Sequence, residues 1–375
     1  MDRIGPKDLR VGEPLPWDVF DGQGKLLLRR GEVVQSEKAL ERFIESGLFF
    51  QQEAVTSRAA PPPVEERPSA LQPIMDARRL LGDLFAKDPE GIDALPARVS
   101  RLVDLVRGAC DVNPTVALAS ILLLQDTSYT VRHPIDVAIL TCVLGRELGL
   151  DADAQASAIA AALTMNIGMV EVQEKVNAIA GPLSDKLMAL IRRHPGLGVE
   201  RLAKQGVTDE RWLGCVAQHH ENNDGSGYPE GLAGEAIAQP ARIIGVADKY
   251  CAMVSGRQYR GPQKPHTALR DLYIKHGQKI DITVASTLIR VMGLYPPGTL
   301  VRLKTAEIGV VTGPGEGPDT PAVHAVIGRS GLALEVASHR KTHMAAQAIE
   351  DVLTTDKLAI PIRLTSIWGH HARVR

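Results

Sequence analysis

From residue 76 to residue 295, apolar positions recur at i, i+3, i+4 and i+7 in one segment after another. DARRLLGDLFAKD, LPARVSRLVDLVRGAC, ALASILLLQ, IDVAILTCVLGRELGL, DAQASAIAAAL and SDKLMALIRR each carry such a stripe. The spacing predicts amphipathic helices joined by short connections, with no strand pattern between them, and hence one all-α domain. Asp151 and Ser184 stand where helix N-caps belong, and Gly149 and Gly168 where helices end or are interrupted. His133 opens the helix HPIDVAILTCVLGRELGL, and Pro195 should stop the helix that ends at His194.

The pattern changes toward both ends. FDGQGKLLLRRGEVV, punctuated by Asp21-Gly22 and Gly24-Lys25, reads as a hairpin. Ser36 then caps a helix over EKALERFIESGLFF. Prolines from Pro61 to Pro68 mark an extended, semi-rigid linker. Beyond Leu294, TLVRL and IGVV are β-branched runs separated by turn residues and predict a small hairpin or meander. The fold class is therefore mainly α. A small β module with one helix (1–57) precedes a proline-rich linker (58–75), a helical domain (76–295) and a β-rich extension with a tail (296–375).

At about 150 residues per domain, 375 residues make two or three domains. Lys+Arg 43 against Asp+Glu 44 leaves a net charge of −1, which argues against binding a nucleic-acid polymer. An aromatic share of 4% argues against a base-stacking platform for single strands. MDRIGPKDLRVGEPL lacks the basic-then-apolar order of a signal peptide. No stretch of about 18 consecutive apolar residues is present, so no membrane span is expected. Cys110, Cys142, Cys215 and Cys251 form no C-x-x-C and read as buried, reduced thiols of a cytoplasmic protein.

The chemistry concentrates in the helical domain. His133, His194, His219 and His220 are followed by Asp248 in ARIIGVADKYCAMV. One histidine at a helix end is commonly a cap or a packed residue. Adjacent histidines on a helix point about 100° apart, toward two parts of one cavity or two metals. Imidazole and carboxylate suit zinc, iron, manganese and nickel, although this spacing alone is no metal signature. The loop NNDGSGYPEGLAGE is either a plain turn or a wall over a site. Arg257, Tyr259 and Arg260 form either a solvated basic turn or a phosphate and purine contact. His324, His339 and His343 read as surface residues, His370 and His371 as part of the terminus, and GPGEGPD (313–319) as a turn.

HHENNDGSGYPEGLAGEAIAQPARIIGVADKYCAMVSGRQYR resembles the signature segment of the HD-GYP family, a helical branch of the HD phosphohydrolases. The likeness continues upstream through YTVRHPIDVAILTCVLGRELGL and RRHPGLGVERL, and downstream into MGLYPPGTLVRLKTAEIGVV. DLRVGEPLPWDVFDGQGKLLLRRGEVV resembles a module often found ahead of such domains. The resemblance implies a site for cyclic di-GMP or a related dinucleotide and, in active members, hydrolysis at a two- or three-metal centre. It implies His133, His194, His219, His220 and Asp248 as metal ligands. Asp224, Gly225, Gly227, Tyr228 and Pro229 would form the GYP loop, and Arg257, Tyr259 and Arg260 would contact the ligand.

One motif departs from the family. Where His-Asp-Ile-Gly-Lys is expected, AALTMNIGMVEV places Met165, Asn166 and Met169 at the His, Asp and Lys positions. Asn is neutral and cannot offset repulsion between two dications. A thioether suits a hard hydrolytic metal poorly. Met169 removes a cation that would neutralise phosphate. The expectation is zero or one iron or manganese ion, with no catalytic residue assigned. Two functions stay open. One is binding of the dinucleotide, or of a protein partner through the GYP loop, with weak or no hydrolysis. The other is an active, metal-dependent cyclic di-GMP phosphodiesterase. The helices over 76–108 offer faces for a homodimer.

Overall fold

The computed structural model describes residues 67–86, 94–125, 127–179, 183–256, 261–354 and 362–375, with Gly181 and short stretches of the first fifty. The chain divides into two units, Met1–Glu66 and Arg67–Arg375. In the first, β1 (Asp2–Arg3), β2 (Val19–Phe20), β3 (Leu26–Leu28) and β4 (Phe49–Phe50) form an antiparallel sheet in the order β1-β4-β2-β3. The β2–β3 turn is the expected one. Asp21 closes it by accepting from the amides of Gln23 and Lys25, both at 2.9 Å. The helix expected after Ser36, and linker residues 58–66, lie outside the described residues.

The second unit begins with helices. These are α1 (Leu71–Ala86), α2 (Leu95–Val112), α3 (Pro114–Leu123), α4 (Tyr129–Glu147), α5 (Ala152–Thr164), α6 (Val170–Ala178), α7 (Asp185–Lys204), α8 (Glu210–Gln218), α9 (Gln239–Val254), α10 (Pro265–His276) and α11 (Ile282–Met292). Their apolar stripes meet in one continuous core, with Leu81, Leu102, Ile139, Leu144, Ile159, Leu163 and Tyr250 fully enclosed. The four cysteines are buried and unpaired. Asp151 and Ser184 cap α5 and α7 through the amides of Ala154 and Leu187. Residues 152–173 are long and apolar enough to match a membrane span by composition, a point the run-length reading passed over. About two thirds of their most apolar 18-residue window is buried within the fold, which is how a core segment behaves.

Three local expectations change. Helix α1 starts at Leu71, inside the segment read as linker: Ser69 Oγ accepts from the amides of Leu71 and Gln72 at 3.2 Å. Pro73 falls in its first turn, where a missing N–H costs little. His133 lies in the second turn of α4 rather than opening it. Helix α7 runs through Pro195 to Lys204 rather than stopping there.

The C-terminal part is larger than a hairpin. β5 (Leu300–Leu303), β6 (Ile308–Gly317), β7 (Thr320–Ile327), β8 (Ala333–Arg340) and β9 (Ile349–Leu353) form an antiparallel sheet ordered β8-β7-β6-β5-β9. Most of GPGEGPD is strand rather than turn. Gly317 pairs with Thr320, and Gly315 is required because a Cβ there would lie 1.9 Å from the Thr320 carbonyl. His324 is half-buried and pairs across the strands with His339. The tail ends in α12 (Thr365–Trp368) and a 3-10 turn (Gly369–Ala372). It is tied down: Ser69 Oγ donates to the Arg373 carbonyl, the Ala70 amide to the His371 carbonyl, and the Arg375 amide to Gln72 Oε1.

Candidate metal centre

Helices α4, α7, α8 and α9 bring the predicted histidines and Asp248 together. The position of His194 follows from Pro195. A proline has no N–H for the carbonyl four residues back, here Ile191. His194 Nδ1 donates to that carbonyl instead, at 2.5 Å. At the end of α8, His219 Nδ1 donates to the Val216 carbonyl at 2.7 Å. Carbonyls only accept, so both rings carry their proton on Nδ1 and leave Nε2 as a bare lone pair.

Those two Nε2 atoms face each other at 3.2 Å. Both rings are fully buried. Burial, aided by His194, pushes His219 down to about 3, and burial lowers His194 as well. Both are therefore neutral near pH 7. Two lone pairs at contact distance repel unless an electrophile lies between them. His220 completes the cluster: the ligand nitrogens of His194, His219 and His220 all lie within 4.8 Å of one another. Its ring centroid is 4.1 Å from that of His219 and 4.8 Å from that of Tyr228.

Beside this cluster sits a second pair. His133 Nε2 donates to Asp248 Oδ1 at 2.7 Å, and Tyr129 stacks on the His133 ring at 4.7 Å with an interplanar angle of 12°. Burial alone would raise the Asp248 carboxyl, but the His133 hydrogen bond and the nearby imidazoles hold it well below the usual range. Asp248 Oδ2 is 4.0 Å from His220 Nδ1. His133 Nδ1 is buried without a hydrogen-bond partner, so only one nitrogen of that ring is satisfied.

Met165 and Asn166 follow α5, and Met169 ends the 3-10 turn Ile167–Met169. Met165 is fully buried and Asn166 nearly so. Gly168 lets this turn touch α7, since a Cβ there would lie 2.3 Å from the His194 carbonyl and 2.6 Å from the Gly198 amide nitrogen. Arg201 adds a hydrogen bond to the Ile167 carbonyl at 3.1 Å. The segment is held against the histidine-bearing helix, yet it brings neither imidazole nor carboxylate.

The GYP loop is anchored by a residue the sequence reading passed over. Buried Glu221 accepts from the amides of Glu230, Gly231 and Leu232 at 2.7, 3.2 and 3.0 Å. Its place right after His219-His220 was the one available signal. Asp224 accepts from the Ser226 amide at 3.0 Å and bridges to Ala233. Gly225 has φ of 76°, and a Cβ on Gly227 would lie 2.3 Å from the Asn222 nitrogen. The Tyr228–Pro229 peptide is cis. The Tyr228 phenol is raised by burial and by Asp248. Arg257, Tyr259 and Arg260 lie outside the described residues.

Known proteins bear on this geometry. The HD domain family model matches residues 116–284. A cyclic di-GMP phosphodiesterase of Pseudomonas aeruginosa is 31% identical over 310 residues, 76% of this chain and 74% of that protein. The chain belongs to the HD-GYP family. A 3'3'-cGAMP-specific phosphodiesterase of Vibrio cholerae is 36% identical over 138 residues, 36% of this chain and 31% of its own length. An HDG"Y"P protein of Bdellovibrio bacteriovorus shares the HD-GYP fold, with a TM-score of 0.50 at 17% identity over 77% of this chain and 98% of its own. HD-domain phosphohydrolases are metal-dependent, and the three-histidine cluster is a group that can hold an ion here.

Proposed function

We propose that the protein binds cyclic di-GMP, or a related cyclic dinucleotide, beside a single metal ion and hydrolyses it weakly or not at all. The carrying observation is the 3.2 Å separation of two buried Nε2 lone pairs. It supports one cation held by His194, His219 and His220. A two- or three-ion centre does not fit the donors. Met165 and Asn166 supply neither the imidazole nor the bridging carboxylate, and His133 Nε2 and Asp248 Oδ1 are already engaged with each other.

When bound, an ion in the three-histidine cluster would supply positive charge toward a phosphate oxygen. The Tyr228 ring lies tilted against His220 and would form one wall of the ligand site, with Glu221 holding the loop behind it. Arg257, Tyr259 and Arg260 would contact phosphate and purine. A net charge of −1 suits a small dinucleotide held by local arginines rather than a polymer. The relatives named as phosphodiesterases of cyclic di-GMP and 3'3'-cGAMP support the ligand class. The same loop would also serve for a protein partner, and a homodimer belongs to the same set of proposals.

The second reading is an active phosphodiesterase. The retained His133–Asp248 pair favours it. Equilibrium binding of cyclic di-GMP, followed by analysis of the recovered nucleotide, separates the two. Intact dinucleotide recovered after saturable binding supports the first reading, and linear dinucleotide or GMP supports the second.

A further inference from the structure

The family resemblance implies iron or manganese, but the donors are of another kind. The cluster of His194, His219 and His220 contains three neutral nitrogens and no carboxylate. Asp248, the nearby carboxylate, spends Oδ1 on His133 at 2.7 Å and keeps Oδ2 4.0 Å from His220 Nδ1. Carboxylate oxygens suit manganese and two imidazoles with a carboxylate mark iron(II), whereas three imidazoles with an open position mark zinc. The Nε2–Nε2 spacing of 3.2 Å also suits two donors on one ion with zinc–nitrogen bonds of about 2.0–2.1 Å. His194 and His219 are held in place by hydrogen bonds from Nδ1 to the Ile191 and Val216 carbonyls, the kind of outer support that fixes metal-ligating rings.

We infer that the site is a mononuclear, zinc-type centre of three imidazoles with one open position, rather than a multinuclear iron or manganese centre. The inference rests on the proposal that this cluster holds a metal. It does not depend on what the dinucleotide does there.

The test uses the full chain, stripped of metal and titrated with Zn²⁺, Co²⁺ and Mn²⁺. One Zn²⁺ per chain is expected. Co²⁺ should give the intense visible absorption of a four-coordinate site, and Mn²⁺ should bind more weakly than Zn²⁺ by more than about tenfold. His194→Ala and His219→Ala should each abolish the Co²⁺ band while circular dichroism reports intact helices. Should either variant unfold, His220→Ala, at the partly exposed member, replaces it with the same expectation. In Met165→His/Asn166→Asp, Mn²⁺ affinity should rise and a second ion should bind. The inference is overturned by two or more ions in the unaltered chain, by a weak six-coordinate Co²⁺ spectrum, or by Mn²⁺ binding as tightly as Zn²⁺. Failure to bind cyclic di-GMP with these metal results intact would overturn the dinucleotide proposal and leave the metal inference standing.

Discussion

His133 Nε2 donates to Asp248 Oδ1 at 2.7 Å, joining α4 to α9 across the floor of the site. This bond engages one atom of each group, and the proposed ion lies with the other histidines. His133→Ala should therefore leave one metal per chain. It should destabilise the fold by about 2 kcal/mol, the loss of a hydrogen bond to a largely buried carboxylate. Metal analysis and urea unfolding check both. Loss of all metal in this variant would place His133 in the ion site.

Glu221 organises the GYP loop through three amides. Glu221→Ala leaves those donors unpaired and should cost about 3 kcal/mol. Hydrogen exchange at Glu230, Gly231 and Leu232 should quicken while the α5 amides stay protected. Unchanged exchange at the three amides would mean that the carboxylate does not hold the loop.

Gly168 is required by close approach, not by backbone conformation. A Cβ would meet the His194 carbonyl at 2.3 Å and the Gly198 nitrogen at 2.6 Å, both backbone atoms that cannot turn aside. Gly168→Ala should destabilise by about 1–3 kcal/mol and weaken metal binding by shifting His194. Equal urea midpoints for the two proteins would contradict this packing.

Asp136 gives a pH signature away from the ion site. It is fully buried, with Arg78 Nη2 at 3.3 Å and Arg132 beyond at 3.9 Å. Burial outweighs both guanidiniums and pushes the carboxyl up to about 6. Its unfolded value is about 3.9. The folded state thus holds the extra proton between about pH 4 and about pH 6, and stability falls as pH rises through that window. Two units correspond to about 3 kcal/mol. Asp136→Asn should remove this slope, apart from a constant offset for the buried Arg78 charge. Parallel stability curves for the two proteins would show that Asp136 does not titrate there.

The helical domain was legible because its stripes are long and its caps are explicit, as at Asp151 and Ser184. The His and Asp residues were legible as a group only through the resemblance. What escaped depends on single atoms meeting in space. Pro195 read as a helix stop, but the carbonyl it frees is taken by the His194 ring, so the helix continues. Gly313, Gly315 and Gly317 read as a turn, but Gly315 permits a close approach to the neighbouring strand and β6 runs on to Gly317. Glu221 and Gly168 act through backbone contacts that no spacing announces. The facing Nε2 atoms of His194 and His219, 25 residues apart, depend on the packing of α7 against α8.

The most direct measurement is a turnover assay on the purified chain with cyclic di-GMP and Zn²⁺ or Mn²⁺, reading linear dinucleotide and GMP beside bound ligand. Saturable binding with little or no product is expected from the unaltered chain, and product is expected in Met165→His/Asn166→Asp. Robust product from the unaltered chain, abolished in His219→Ala, would contradict this expectation.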